Sequence, residues 1–275
     1  MTTLRIHPIR DSGQIQSITP QTVRSACPNW TYVGFEVHRL RAGETLGQAT
    51  GSLEHLLVLV TGKIMAMADG KDLGELGGRM DIFTKEKAHA LYVPNDMSWT
   101  IRATTDVEIA VCMAPGMGGH EVRIITPDPA PMEERGKGAN TRFVNAIMME
   151  ERDWADSLLV TEVWTPNGNW SSYPSHKHDT DDFPNETHLE ETYYHRIDPP
   201  NGFAIQRVYN DDRSLDETIA VSNGDVVLVP EGYHPCGAVY GFDLYYLNVM
   251  AGPRRNWRFT NDPDCDWIFK RDTKA

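Results

Sequence analysis

Long apolar runs are missing from this 275-residue chain. No stretch approaches the roughly 20 residues that a membrane-spanning helix needs. Cysteine is scarce: Cys27, Cys112, Cys236 and Cys265 stand far apart and form no C-x-x-C pair. That spacing offers neither a disulfide framework nor a thiolate zinc motif, and reduced thiols in a cytoplasmic protein are the expectation. The first fourteen residues, MTTLRIHPIRDSGQ, hold no apolar stretch of the signal-peptide kind, so no secretion is expected. Positive charge is also short: 26 Lys and Arg stand against 39 Asp and Glu, a net charge of −13. Such a chain repels nucleic acid and anionic membranes, and neither is an expected partner. No G-x-G-x-x-G follows a strand pattern, which argues against a nucleotide cofactor. Clean helical periodicity is absent too, which excludes a helical bundle.

Short strands are abundant. Leu56–Val60, Ala90–Val93, Val107–Met113, Val226–Val229 and Leu244–Met250 are apolar, mostly rich in β-branched or aromatic residues, and followed by Gly, Pro or Asn. The pattern predicts an all-β sandwich or barrel with short peripheral helices. Three segments recur in the same order. Pro94 and Pro230, His55 and Glu191, and Gly116 and Gly252 each stand 136 positions apart. This predicts two duplicated β-domains, residues 1–126 and 135–275, joined by a proline-rich strap at Thr126–Glu134.

Four of the ten histidines fall within residues 176–195. In a strand, His176 and His178 point to one face, with Lys177 on the other. Downstream come Glu190-Glu191-Thr192-Tyr193-Tyr194-His195, and then Gly224 to His234 with Pro230 and Gly232 between. These features resemble the cupin superfamily, whose first motif carries H-x-H and a Glu and whose second reads G-x5-P-x-G-x2-H. The second motif here is one residue short before His234, and a polar loop of twelve residues separates His178 from Glu191. The resemblance implies one divalent ion per chain (Zn, Mn or Fe) held by His176, His178, His234 and a glutamate. Three imidazoles and a carboxylate leave such an ion at net charge +1 with open positions. Glu191 is favoured as the carboxylate, since it aligns with His55 in the repeat and shares a face with Tyr193 and His195; Glu190 is the alternative. At the repeat offset His176, His178 and His234 fall on Leu40, Ala42 and Ser98, so the N-terminal copy is expected to be degenerate and metal-free.

Residues 173–179 (YPSHKHD), 202–209, 211–218 and 226–252 are more specifically similar to the 5-deoxy-glucuronate isomerases of myo-inositol catabolism. Their cousins, the 5-keto-4-deoxyuronate isomerases, have a shorter gap before the glutamate. The resemblance implies a bicupin of jelly-roll barrels that converts 5-deoxy-D-glucuronate to 2-deoxy-5-keto-D-gluconate, an aldose–ketose isomerisation acting on a small anionic sugar acid. His195 and Tyr246 are the expected proton carriers, and Arg142 and Arg207 the expected grips for the substrate carboxylate. Arg254 and Arg255 are expected to face solvent, as are Asp216 and Glu217 in a loop. A homo-oligomer is compatible with the sequence. A cupin dioxygenase and a non-catalytic small-molecule-binding cupin are the rival readings.

Overall fold

The computed structural model describes residues 4–7 and 14–272, with the side chains of 14–16 excepted. Parts of the N-terminal stretch and the ends of both expected domains therefore lie outside the described residues. The chain is nearly all β, as the strand patterns predict. Among the described residues the α-helix is a single short one, Trp267–Asp272, and no helix is long and apolar enough to cross a membrane.

Each half stacks a large sheet against a four-stranded one. In the N-terminal half a six-stranded sheet, centred on Leu53–Thr61 and Val107–Pro115, faces a sheet built around Lys63–Ala68 and Ser98–Ala103. In the C-terminal half a seven-stranded sheet, centred on Glu190–Asp198 and Asp243–Ala251, faces one built around Phe203–Tyr209 and Cys236–Ala238. The strand Arg5–Ile6 crosses over to pair with Val226–Val229 at the edge of that seven-stranded sheet. The two large sheets lie back to back, so their strands are buried on both faces and read as unbroken apolar runs. Leu57 and Leu59 fill the N-terminal sandwich, while Leu56, Val58 and Val60 join a core that spans both halves.

The repeat is visible in the register. His55 pairs with Val93 and Glu191 with Val229, at the same offset of 136 that the sequence shows. The third match slips. Glu108 pairs with Thr61 and Leu244 with Ile197, but a β-bulge at Val60 then shifts the N-terminal pairing by one residue. Upstream of the polar loop the offset is smaller again: Gly34–Leu40 corresponds to Leu159–Thr165, 125 residues later. The counterparts of His176 and His178 therefore fall near residues 51–54, not at Leu40 and Ala42. That segment, Gly51-Ser52-Leu53-Glu54, contains no histidine.

Two carboxylates fasten the halves together. Glu54 accepts hydrogen bonds from three consecutive amides of the C-terminal half, Asp156, Ser157 and Leu158, at 2.7–2.8 Å. Glu190 accepts from Thr31, Tyr32 and Val33 of the N-terminal half at 2.5–2.9 Å. A buried ion pair, Arg79 Nη1 to Glu162 Oε2 at 2.8 Å, crosses the same interface. Two further readings change. Arg255 turns inward and donates to the carbonyls of Leu158, Arg152 and Met149, and Asp216 opens a strand, Asp216–Ser222. The two changes have separate causes: an arginine beside a chain reversal meets backbone carbonyls that it can hold, and a strand edge tolerates acids on its wet face.

Replacing Glu54 or Glu190 by Ala leaves three amides at the interface without their carboxylate acceptor. Each substitution is expected to cost about 3 kcal/mol or more, whereas the exposed Glu121→Ala should stay within about 0.5 kcal/mol. Urea denaturation of the three variants checks this.

Candidate metal centre

The strand His176–Lys177 and the residue after it lie at one mouth of the C-terminal sandwich, paired with Thr260–Asn261. The polar loop that follows is a closed excursion. The Leu189 amide donates to the His178 carbonyl at 2.9 Å, and His178 Nδ1 donates back to the Leu189 carbonyl at 3.1 Å. Inside the loop, buried Glu186 accepts from the amides of Asp179 and Thr180. The excursion therefore returns the chain beside His178, and two residues later Glu191 enters the interior. The turn after Val226–Val229 brings His234 to the same place, with Nδ1 2.8 Å from the Gly232 carbonyl. Gly232 there has φ +85°, and a Cβ would stand 2.4 Å from the Tyr209 carbonyl oxygen, so this turn requires glycine.

Ligand atoms of His176, His178 and His234 lie within 4.8 Å of one another. Glu191 Oε2 lies 3.2 Å from His178 Nε2 and 3.1 Å from His234 Nε2. All are buried except His176, which is partly exposed. The carbonyls facing Nδ1 of His178 and His234 hold the proton on that nitrogen and leave Nε2 as a bare lone pair. His234 Nε2 has no hydrogen-bond partner although it is fully buried. An unpartnered nitrogen facing a carboxylate oxygen is costly unless a cation lies between them, so this donor set fits a divalent ion. The remaining oxygen, Glu191 Oε1, accepts from the Asn248 amide, whose own Oδ1 accepts from Thr161. Burial and the two neighbouring histidines push the His176 imidazole well down.

The centre opens into a small inner chamber of about 40 Å³, walled by Arg142, Val144, Thr161, Val163, Tyr246 and Asn248 among others. His176, Arg142 and Trp257 also border an outer cavity of about 580 Å³ with an aromatic rim that includes Tyr173 and Phe259. Arg142 is buried enough that desolvation lowers its pKa, and it donates only to carbonyls, those of Asn140 and Tyr173. Tyr246 shares a 2.7 Å hydrogen bond with Ser171 Oγ, and Tyr193 a 2.9 Å one with Ser172 Oγ. Burial raises both phenols, so they remain protonated at neutral pH.

Of the residues picked from sequence, His176, His178, Glu191, His234, Arg142 and Tyr246 come together. Glu190 points the other way, into the interface. His195 is a correction. It does share a face with Glu191, but two residues beyond Tyr193, where it is wholly buried, stacked on that ring and bonded to Gln206 Oε1 at 2.8 Å. Burial drops it to about 4, and it does not line the chamber. Arg207 is the second correction. It alternates outward from Gln206 and forms a two-pronged pair with Asp216, both contacts 2.7 Å, on the outer surface. Asn248, Thr161 and Trp257 were not singled out by sequence. The signal for Asn248 was available: it is an amide inside an otherwise apolar strand, LYYLNVM.

Paired sandwiches with three histidines and a glutamate at the mouth of one of them define a cupin. More narrowly, the chain belongs to the KduI/IolB family, whose profile matches residues 5–268. It is 51% identical over 264 residues to a protein of Geobacillus kaustophilus named 5-deoxy-glucuronate isomerase, covering 96% of this chain and 94% of that one. A protein of Bacillus subtilis with the same name is 45% identical over 241 residues, covering 88% of this chain and 89% of that one. Among solved structures, an IolB-like protein from Salmonella typhimurium superposes with a TM-score of 0.92 at 48% identity, covering 97% and 99% of the two chains. Oxalate decarboxylase from Bacillus subtilis shares the fold alone, with a TM-score of 0.63 at 13% identity over 95% of this chain and 78% of that one.

His178→Ala and His234→Ala are each expected to lower bound divalent metal from one ion per chain to below a tenth of that. Glu191→Gln should weaken retention far more than Glu190→Gln. Elemental analysis after gel filtration, with circular dichroism to verify folding, reads both.

Proposed function

We propose that the protein is a metal-dependent aldose–ketose isomerase that converts 5-deoxy-D-glucuronate to 2-deoxy-5-keto-D-gluconate in cytoplasmic myo-inositol catabolism. The observation that carries this reading is a ligand cluster, two members of which share one inner chamber with an arginine that has no carboxylate partner, in a chain about half identical to the named isomerases over nearly its full length. His176, His178, Glu191 and His234 would hold the ion. When bound, a divalent ion there supplies Lewis-acid polarisation of the substrate carbonyl and its neighbouring hydroxyl.

The chain's own residues bind and orient the substrate and supply an acid. Arg142 presents a buried guanidinium that lacks an acid partner, suited to a two-pronged grip on the substrate carboxylate. Asn248 and Thr161 fix the rotamer of Glu191. Tyr246 holds its proton at Oη, next to the exchangeable Ser171 hydroxyl, and acts as the acid for substrate oxygen. His195, as a neutral imidazole behind the tyrosines, supports their rings. Trp257 and Phe259 shelter the chamber from water.

The N-terminal unit, within residues 1–126, is a buttress without its own ion. Two features support this. His55, in the place of Glu191, accepts a hydrogen bond from Trp99 Nε1 at 3.1 Å, and the fully buried Trp99 ring occupies the interior beside it.

Purified protein should turn over 5-deoxyglucuronate without oxygen uptake, lose activity on chelation and recover it on metal add-back. Activity that survives exhaustive chelation would overturn the reading. Arg142→Gln is expected to raise KM about 10–100-fold with metal content unchanged, the loss of a charge-assisted carboxylate grip. Tyr246→Phe should instead lower kcat and leave KM near that of the parent. Steady-state kinetics separate the two.

A further inference from the structure

The inner wall between the ligand cluster and Arg142 changes character along its length. Strand register fixes the order. Asn248 pairs with Thr161, one step from Glu191, and their side chains bond to each other. One row further on, Tyr246 pairs with Val163, and Val163 pairs with Val144. Arg142 stands two residues before Val144 on the same strand and so on the same face. All of these line the chamber, and the two valines retain only 5% and 4% of their surface there. The wall therefore runs from metal ligands, through a polar pair, to an apolar pair, to a guanidinium.

A substrate whose two ends reach the ligand cluster and Arg142 through the inner chamber lies along this wall. With its carbonyl end at the ligand cluster and its carboxylate on Arg142, the carbon next to the carboxylate falls against Val144 and Val163. In a 5-deoxyuronate that carbon is a methylene. In the parent uronate it carries a hydroxyl. We infer that Val144 and Val163 form the specificity surface for the deoxy carbon and discriminate against uronates hydroxylated at that position. The inference rests on the isomerase reading given above.

The physical reason is a missing partner. A hydroxyl pressed against two valines leaves water and gains no acceptor. The hydroxyls that line the chamber are already engaged, Tyr246 with Ser171, Tyr193 with Ser172 and Thr161 with Asn248. An apolar surface rejects an added hydroxyl by a factor of about 100.

The test compares kcat/KM for 5-deoxyglucuronate and glucuronate in metal-loaded parent, Val163→Thr, Val144→Thr and Val163→Ala. The ring-closed fraction differs between the two sugars but is the same for every variant, so it cancels from the change in ratio. Threonine keeps the valine shape and adds a hydroxyl. Each Thr variant is expected to narrow the preference for the deoxy substrate about tenfold or more, and Val163→Ala to lower both values while leaving the ratio within about twofold of the parent. Ratios that stay at the parent value in both Thr variants, while the deoxy substrate is still turned over, overturn the inference alone. A parent protein that turns over neither sugar overturns the isomerase reading and this inference with it.

Discussion

The molecule depends on a reciprocal pair of buried carboxylates. Glu54 gathers three successive amides of the C-terminal half and Glu190 gathers three of the N-terminal half. The two targets, Thr31–Val33 and Asp156–Leu158, are 125 residues apart, as are the first strands of the two halves. The fastening is thus a pseudo-two-fold exchange in which each half closes the open turn of the other. Each carboxylate compensates for its own burial with charge-assisted hydrogen bonds. The consequence for chemistry is local. Glu190 and Glu191 are neighbours on one strand, and a strand alternates faces. Anchoring Glu190 in the interface therefore obliges Glu191 to face the chamber. A slip of one residue would present Thr192 to the histidines and push Glu191 into the interface.

The chamber sets a local charge against the overall one. The chain carries −13, yet an anionic substrate has to enter a buried space. Other arginines that reach buried carboxylates are spoken for: Arg79 by Glu162, and Arg196, with the exposed Arg39, by Glu108. Arg142 is held by carbonyls alone, which orient the guanidinium without neutralising it. Its depressed pKa records that uncompensated burial. Such local focusing inside low-dielectric walls outweighs a diffuse surface charge that salt screens.

Much of this was legible in the sequence for identifiable reasons. His-x-His exploits strand alternation, and the Gly232 turn needs glycine, so both leave marks at fixed spacing. The duplication survived as a constant offset because strand length and turn type constrain insertion. It failed where insertion is cheap, at the polar loop after His178 and at the Val60 bulge, and the notional partners of His176 and His178 were misplaced accordingly. His195 and Arg207 mark a different limit. Alternation gives the face of a side chain but not its depth, so it could not tell a residue lining the chamber from one two steps beyond. Arg207 lies on the outward face of its strand, and its partner Asp216 opens the neighbouring strand, at a position that the sequence read as loop. Asn248 was passed over because its partner, Glu191, lies 57 residues away across a sheet.

The comparison of Glu54-His55 with Glu190-Glu191 separates two constraints that share one strand. The outward-facing residue is glutamate in both halves, because each must close the other's turn. The inward-facing residue differs, because the interiors differ. In the N-terminal half, Trp99 fills the space beside His55, Ser98 stands where the other half has His234, and the segment that would carry His-x-His reads Gly-Ser-Leu-Glu. Regaining a centre there would need at least three new ligands and the removal of a fully buried indole, a large-to-small change that itself costs about 3–5 kcal/mol. Assembly requires both copies, since each supplies the glutamate that closes the other's turn, and the packing around Trp99 makes the N-terminal half a rigid support.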